Sequence, residues 1–158
     1  MTRGRPEPPP LSGHSVVIPV RFAECDSYGV VWHGHYALYL EQARESLTAR
    51  FGFTAAKALE IGYRVPITRM EINYRLPALP DTRVRATARL RRPEVARLVL
   101  DYEIRSEPEG VLLATAQTEQ VVLNREGELL LTLPAALRKL VDEILKFQAE
   151  ADSLLRRP

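Results

Sequence analysis

Val16, Ile18, Val20 and Phe22 alternate with other residues, and this alternation predicts a strand with one face on a core. From Tyr36 the period lengthens. Tyr36, Leu40, Ala43, Leu47 and Phe51 fall on one helical stripe, while Glu41, Gln42, Arg44 and Glu45 occupy other faces. Glu41 and Arg44 form an i,i+3 pair that supports this helix modestly, and Gly52 stops it. Residues 54–61 predict a short second helix. Strand signals then come in series. Met70, Ile72, Tyr74 and Leu76 alternate with Glu71, Asn73 and Arg75, closing on the turn PALPD at 77–81. Val84, Ala86, Ala88 and Leu90 alternate with arginines and Thr87; Leu98, Leu100, Tyr102 and Ile104 do the same after a turn at 92–94. A turn at 108–110 leads to a strand over 111–124, whose phase shifts near Thr118–Gln120 and predicts a bulge there. Pro134 opens a last helix with Leu137, Leu140, Val141, Ile144 and Leu145 as its stripe.

Strand, long helix, four strands in meander and a final helix make an α+β arrangement, one long helix lying on a curved antiparallel sheet of about five strands. The second face of that sheet is only half covered, which favours a dimer or larger assembly. At 158 residues, 46% hydrophobic and 27% charged, the chain suits one domain with a sizeable core. We expect that domain over 14–147. The proline-rich residues 1–13 read as a disordered leader and 148–158 as a helical or frayed tail. The leader has no apolar core of the secretory kind, no apolar run is long enough to span a bilayer, and the one cysteine fits a reducing compartment. The expected location is therefore the cytoplasm. The net charge of +2 comes from 22 basic and 20 acidic residues that are well mixed, unlike the concentrated basic face of a nucleic-acid binder. Arginines 83, 85, 89, 97 and 105 sit at alternate positions, as on the solvent side of strands.

The chemistry concentrates in one segment. The first strand ends near Asp26, a turn containing Gly29 follows, and His33, Gly34 and His35 open the long helix. A carboxylate beside a helix N-terminus suits a reaction in which negative charge builds on an oxygen near a base. Each residue also has a plainer role: Asp26 as a turn residue, His33 as a cap or packed side chain, Glu41 as the salt-bridge partner of Arg44. Cys25, His33 and His35 supply one H-x-H pair and a single thiol, too little for a metal site, so no metal is expected. Asp26 disfavours a Cys25 thiolate. No phosphate loop, G-x-S-x-G elbow or dinucleotide fingerprint is present.

The segment D-x-x-G-V-V-x-H-x-x-Y (Asp26, Gly29, Val30, Val31, His33, Tyr36), its L-E-x-A-R continuation (Glu41, Ala43, Arg44) and the later I-x-Y-x-x-P-A-x-x-D stretch (Ile72, Tyr74, Pro77, Ala78, Asp81) resemble the acyl-CoA thioesterases of the hotdog fold. The nearest branches are 4-hydroxybenzoyl-CoA thioesterase and the Tol-Pal-associated thioesterase. The resemblance covers roughly residues 15–145. Departures are His35, where the family often has Asn, Phe22 in place of a Tyr, and Cys25 in place of a small hydroxyl.

The resemblance implies a homodimer joined edge to edge, often paired again as a homotetramer, with active sites at the protomer interface. It implies Asp26 as catalytic carboxylate, acting as general base or as nucleophile. The backbone N–H at His33, with Gly34 beside it, would hold the thioester carbonyl, and the His33 side chain would orient a reactant or assist proton transfer. The implied substrate is an acyl-CoA, with no cofactor. Gly29, Val31, Trp32 and Tyr36, with Tyr28 and Tyr63, are the expected substrate lining; Arg91 and Arg92, with Arg97, are the expected partners of CoA phosphates. Three alternatives stand beside this one: a hydratase or dehydratase of enoyl thioesters using Asp26 and His33, a thioesterase taking its acyl group from a carrier protein, and a non-catalytic acyl-thioester-binding protein.

Overall fold

A computed structural model describes residues 8–155. Residues 1–7 of the expected leader and 156–158 of the expected tail lie outside the described residues. The elements are β1 (His14–Pro19), a 3-10 turn at Phe22–Glu24, α1 (His35–Ala49), α2 (Ala55–Glu60), β2 (Ile67–Tyr74), β3 (Arg83–Leu90), β4 (Arg97–Glu107), β5 (Leu112–Val121) and α3 (Ala135–Leu155). The strands form one antiparallel sheet in the order β1-β3-β4-β5-β2. The α+β arrangement of a long helix on a five-stranded antiparallel sheet is thus the observed one.

The alternation sorts the two faces of this sheet. Val84, Ala86 and Ala88 of β3 and Leu98, Leu100, Tyr102 and Ile104 of β4 are buried on the inner face. Against them α1 lays Tyr36, Tyr39, Leu40, Ala43 and Leu47, each at most 2% exposed. Residues three and four apart share one side of a helix, so this stripe sets the helix's orientation. α1 packs on β1 and β3, and α3 adds Leu137, Leu140, Val141 and Ile144 to the same core.

Three expectations are corrected. The four later strands do not form one meander: β3, β4 and β5 pair in succession, but β2 lies at the edge beside β5. Phe22 leaves the β1 alternation: it opens the 3-10 turn and is 78% exposed. The strand ends at Pro19, and Val20 follows with its N–H on the Thr82 carbonyl, 2.9 Å away. Near Thr118–Gln120, where a bulge was expected, the burial of β5 alternates regularly; the break lies at the start of the strand, where Leu112, Leu113 and Ala114 are all buried. Leu113 is the extra residue there, since Ile104 pairs with Ala114 and Arg105 with Leu112; opposite Glu119 and Gln120 the extra residue is Thr68 of β2. What looked like a change of phase is two polar residues on the inner face. Thr118 Oγ1 meets the Tyr102 hydroxyl at 2.9 Å, and Gln120 Nε2 donates to the Val65 carbonyl at 3.0 Å. Buried polar groups persist when they are paired in this way.

On the opposite face the arginines find carboxylates: Arg85 with Glu107, Arg91 with Asp101, and Arg97 with Glu119. Residues 8–13 run across this face, tied by Leu11 N–H to Glu103 Oε2 and by Arg105 Nη2 to the Pro8 carbonyl. Arg89 joins both chain ends to the sheet, donating to the Ser12 carbonyl and to Asp152 of α3.

The last turns of α3 are anchored by Gln148, which is 2% exposed. Its Oε1 accepts from Leu90 N–H at 2.8 Å, and its Nε2 donates to the Leu90 carbonyl at 2.9 Å. Truncation strands both backbone groups at the end of β3. Gln148→Ala should therefore cost about 2 kcal/mol, read as a lowered urea midpoint at unchanged slope.

Candidate active site

Between β1 and α1 the chain makes a closed loop. Cys25 and Val31 face each other across an isolated bridge. Within it Asp26 N–H donates to the Val30 carbonyl at 2.9 Å, and Gly29 N–H donates to the Asp26 carbonyl at 3.0 Å. Gly29 has φ of +75°, a left-handed conformation that glycine adopts without steric cost. The Asp26 side chain serves the same turn: Oδ1 accepts from Tyr28 N–H at 2.8 Å. The turn role and the chemical role are therefore compatible, since the turn fixes the carboxylate through one oxygen. Oδ2 has no hydrogen-bond partner among the described residues.

The helix start is open. Gly34 is the N-cap, with no side-chain cap, and the first turn of α1 carries no acid. The N–H groups of His35, Tyr36 and Ala37 turn back to the carbonyls of Trp32, His33 and Gly34. Those of His33 and Gly34 donate to no acceptor among the described residues. Unsatisfied N–H groups at the positive end of a helix form a binding site for negative charge. Gly34 sits at an ordinary helical φ of −67°. It is required for space: a Cβ there would lie 2.2 Å from the Trp32 ring. That ring covers the helix start, with its centroid 5.0 Å from His33 and 5.8 Å from His35.

Three groups that the sequence did not assign to the site hold this geometry. Glu24 Oε2 accepts from the Tyr39 hydroxyl at 2.6 Å and from Arg21 N–H at 3.2 Å, pinning the 3-10 turn to α1. Burial and the neighbouring Glu24 carboxylate push the Tyr39 hydroxyl pKa well above its ordinary value, so it remains a donor. Tyr74, the last residue of β2, donates its hydroxyl to the His33 carbonyl at 2.8 Å and sets its ring edge-on to Tyr36. For Tyr39 the available signal was that a buried tyrosine hydroxyl must find a partner, and the sequence does not say which one.

Of the expected site residues, the fold brings Asp26, Gly29, Trp32, His33 and Gly34 together at the loop and helix start. Val31 and Tyr36 also belong to this segment but face the core, at 4% and 2% exposure. Val31 N–H donates to the Ala78 carbonyl, and the Tyr36 hydroxyl accepts from Ala78 N–H. Tyr28 is exposed, and Tyr63 follows α2, away from the loop. Arg91 and Arg92 are not brought to the loop: they follow the far end of β3, and Arg91 is held by Asp101. Desolvation, with Glu24, Asp26 and Asp81 nearby, raises the Cys25 thiol pKa, so a thiolate is disfavoured there. Among the described residues no group of three or more His, Cys, Asp or Glu side chains is placed to hold a metal ion. No helix among them is long and apolar enough to cross a membrane.

The profile of the thioesterase-like superfamily matches residues 20–141. The chain is 30% identical over 105 residues to a 1,4-dihydroxy-2-naphthoyl-CoA hydrolase of Thermosynechococcus vestitus, covering 66% of this chain and 71% of that enzyme. It is 29% identical over 130 residues to the long-chain acyl-CoA thioesterase FadM of Escherichia coli, covering 82% of this chain and 97% of FadM. In fold it is similar to Slr0204, a 1,4-dihydroxy-2-naphthoyl-CoA thioesterase from Synechocystis, with a TM-score of 0.76 at 22% identity over 83% of this chain and 96% of that one. The superfamily match spans the loop, α1 and the strands β2 to β5, and the chain therefore belongs to the thioesterase-like superfamily, thioester hydrolases of the hotdog fold.

Proposed function

We propose that the chain hydrolyses acyl-CoA thioesters at the start of α1, with the His33 and Gly34 N–H groups as oxyanion donors and Asp26 as the reacting carboxylate. The observation that carries this reading is the pair of unclaimed N–H groups at an uncapped helix terminus, one short loop from an anchored carboxylate. Hydrolysis passes through a tetrahedral intermediate whose negative charge sits on the former carbonyl oxygen, and donors fixed in advance stabilise it most. Asp26 either takes a proton from the attacking water through Oδ2 or adds directly to the carbonyl to give an anhydride that water then opens. In both routes the carbon–sulfur bond breaks, and the CoA thiolate leaves and is protonated. Glu24, Tyr39 and Tyr74 act as positioning residues. The likeness to the 4-hydroxybenzoyl-CoA and Tol-Pal-associated branches, carried by Asp26 to Tyr36, concerns how the carbonyl is held and not which acyl group is taken.

A second copy completes this proposal. β2 is an edge strand of the sheet, and its α1-facing side chains Met70 and Tyr74 are exposed at 37% and 49%. Trp32 and Leu38 of the helix start continue this apolar surface. Unpaired backbone groups along an edge invite another strand, and exposed apolar surface beside them favours burial. We take the assembly to be a homodimer formed along β2, or a homotetramer of such dimers. Arg91 and Arg92 enter the proposal only as CoA-phosphate contacts offered to a partner's site.

Two experiments follow. Free-thiol release should be measured from benzoyl-, 4-hydroxybenzoyl-, short-chain and long-chain acyl-CoAs. Asp26→Asn should lower kcat by about a hundredfold or more with unchanged unfolding. Turnover that survives Asp26→Asn removes the proposed mechanism. Hydration of crotonyl-CoA without CoA release would move the function to the hydratase reading, and cleavage of acyl-carrier thioesters alone would move the donor. Light scattering on the eluting protein should give two or four chain masses, and Met70→Asp should shift it toward the monomer. A monomeric, fully active protein would exclude the interface.

A further inference from the structure

Beneath the C-terminal half of α1 lies a cavity of about 980 Å3. Its walls are α1 from Glu41 to Ala49, α2, α3 and inner-face side chains of β1 and β4. Folded interiors are close-packed, with few voids larger than a water molecule. Apolar holes lower stability in proportion to their size, while small-molecule sites occupy roughly 300–1,000 Å3. A cavity of this size therefore fits a bound apolar ligand. The lining that matters is aliphatic: Leu47 from α1, Leu98 and Leu100 from β4, and Leu137, Val141 and Ile144 from α3.

The position of the cavity on α1 limits what can reach it. Glu41 marks its near end, seven residues beyond Gly34, which is roughly 10 Å along a helix. The wall continues to Ala49, about 12 Å further. Ala37, a small residue, stands one turn before Glu41 on the same flank of the helix. At the end of the cavity nearer Gly34, Arg44 is joined to Glu41, so this ion pair adds no net charge there. A group whose carbonyl carbon sits at His33–Gly34 enters the cavity only with atoms far along an extended chain. A benzoyl ring or a short acyl chain ends before it.

We propose that this cavity is the acyl-chain pocket of the thioester site and that it selects long, straight aliphatic acyl groups over aromatic and short ones. The proposal rests on the thioesterase reading for its substrate, but not for the binding event itself.

The test uses the full chain with hexanoyl-, benzoyl- and palmitoyl-CoA. Two variants fill the cavity from different walls, Thr48→Trp on α1 and Ala58→Trp on α2. The expected result is a kcat/KM for palmitoyl-CoA at least about tenfold above the other two, a margin that apolar pockets supply through a few buried methylenes. Either variant that retains a cooperative unfolding transition should lower the palmitoyl value about tenfold and leave the hexanoyl value within about twofold. A wild type that prefers benzoyl- or hexanoyl-CoA, or variants that depress all three equally, would overturn the pocket while leaving the thioesterase intact. Displacement of a fluorescent fatty acid by free palmitate separates the two readings. Binding kept in Asp26→Asn and lost in Thr48→Trp supports the pocket even if no acyl-CoA is cleaved, and no binding in the wild type overturns it.

Discussion

The site depends on how α1 is seated. A helix terminus binds charge only where its free N–H groups point, and that direction is set by the buried stripe behind them. Here two tyrosines turn apolar packing into a fixed position. Tyr36 fills the core and gives its hydroxyl oxygen to Ala78 N–H, in the connection between β2 and β3. Tyr39 fills the core and donates to Glu24, in the turn before the Asp26 loop. One helix face thus reaches both segments that frame the site, and Tyr74 adds a third tie through the His33 carbonyl. Hydrogen bonds of this kind add only modestly to net stability, but breaking one strands a partly buried group. Their effect is therefore to exclude neighbouring positions of the helix.

Much of this was legible in the sequence wherever physics acts locally. The alternation in β3 and β4 and the stripe of α1 are consequences of one face meeting a core, so their positions follow from residue type. The order Asp26, Gly29, His33, Gly34 was equally readable, because a turn glycine and an open helix start leave local marks. Sheet order, the Tyr39–Glu24 contact and the run of residues 8–13 across the outer face were not readable, since each depends on segments brought together only by folding. Thr118 and Gln120 show the limit most clearly. Polar residues at inward positions imitate a slipped register unless their partners, Tyr102 and the Val65 carbonyl, are known.

The two faces of the sheet obey different rules. The outer face is a lattice of arginine–carboxylate pairs, individually weak in solvent, that leaves little apolar surface for another molecule. The inner face is apolar and only partly covered by α1. The continuous apolar surface is therefore confined to one side of the molecule, divided by the helix whose start carries the candidate site.

The packing of Trp32 against Gly34 has a spectroscopic consequence. It is the one tryptophan in the chain, its indole is 48% exposed, and it lies directly over the open helix start. Indole emission responds to local polarity, so the protein carries an intrinsic optical reporter at the point where a thioester carbonyl would bind. Any molecule that displaces water from this helix start changes the colour of its fluorescence, without a label and without a turnover event.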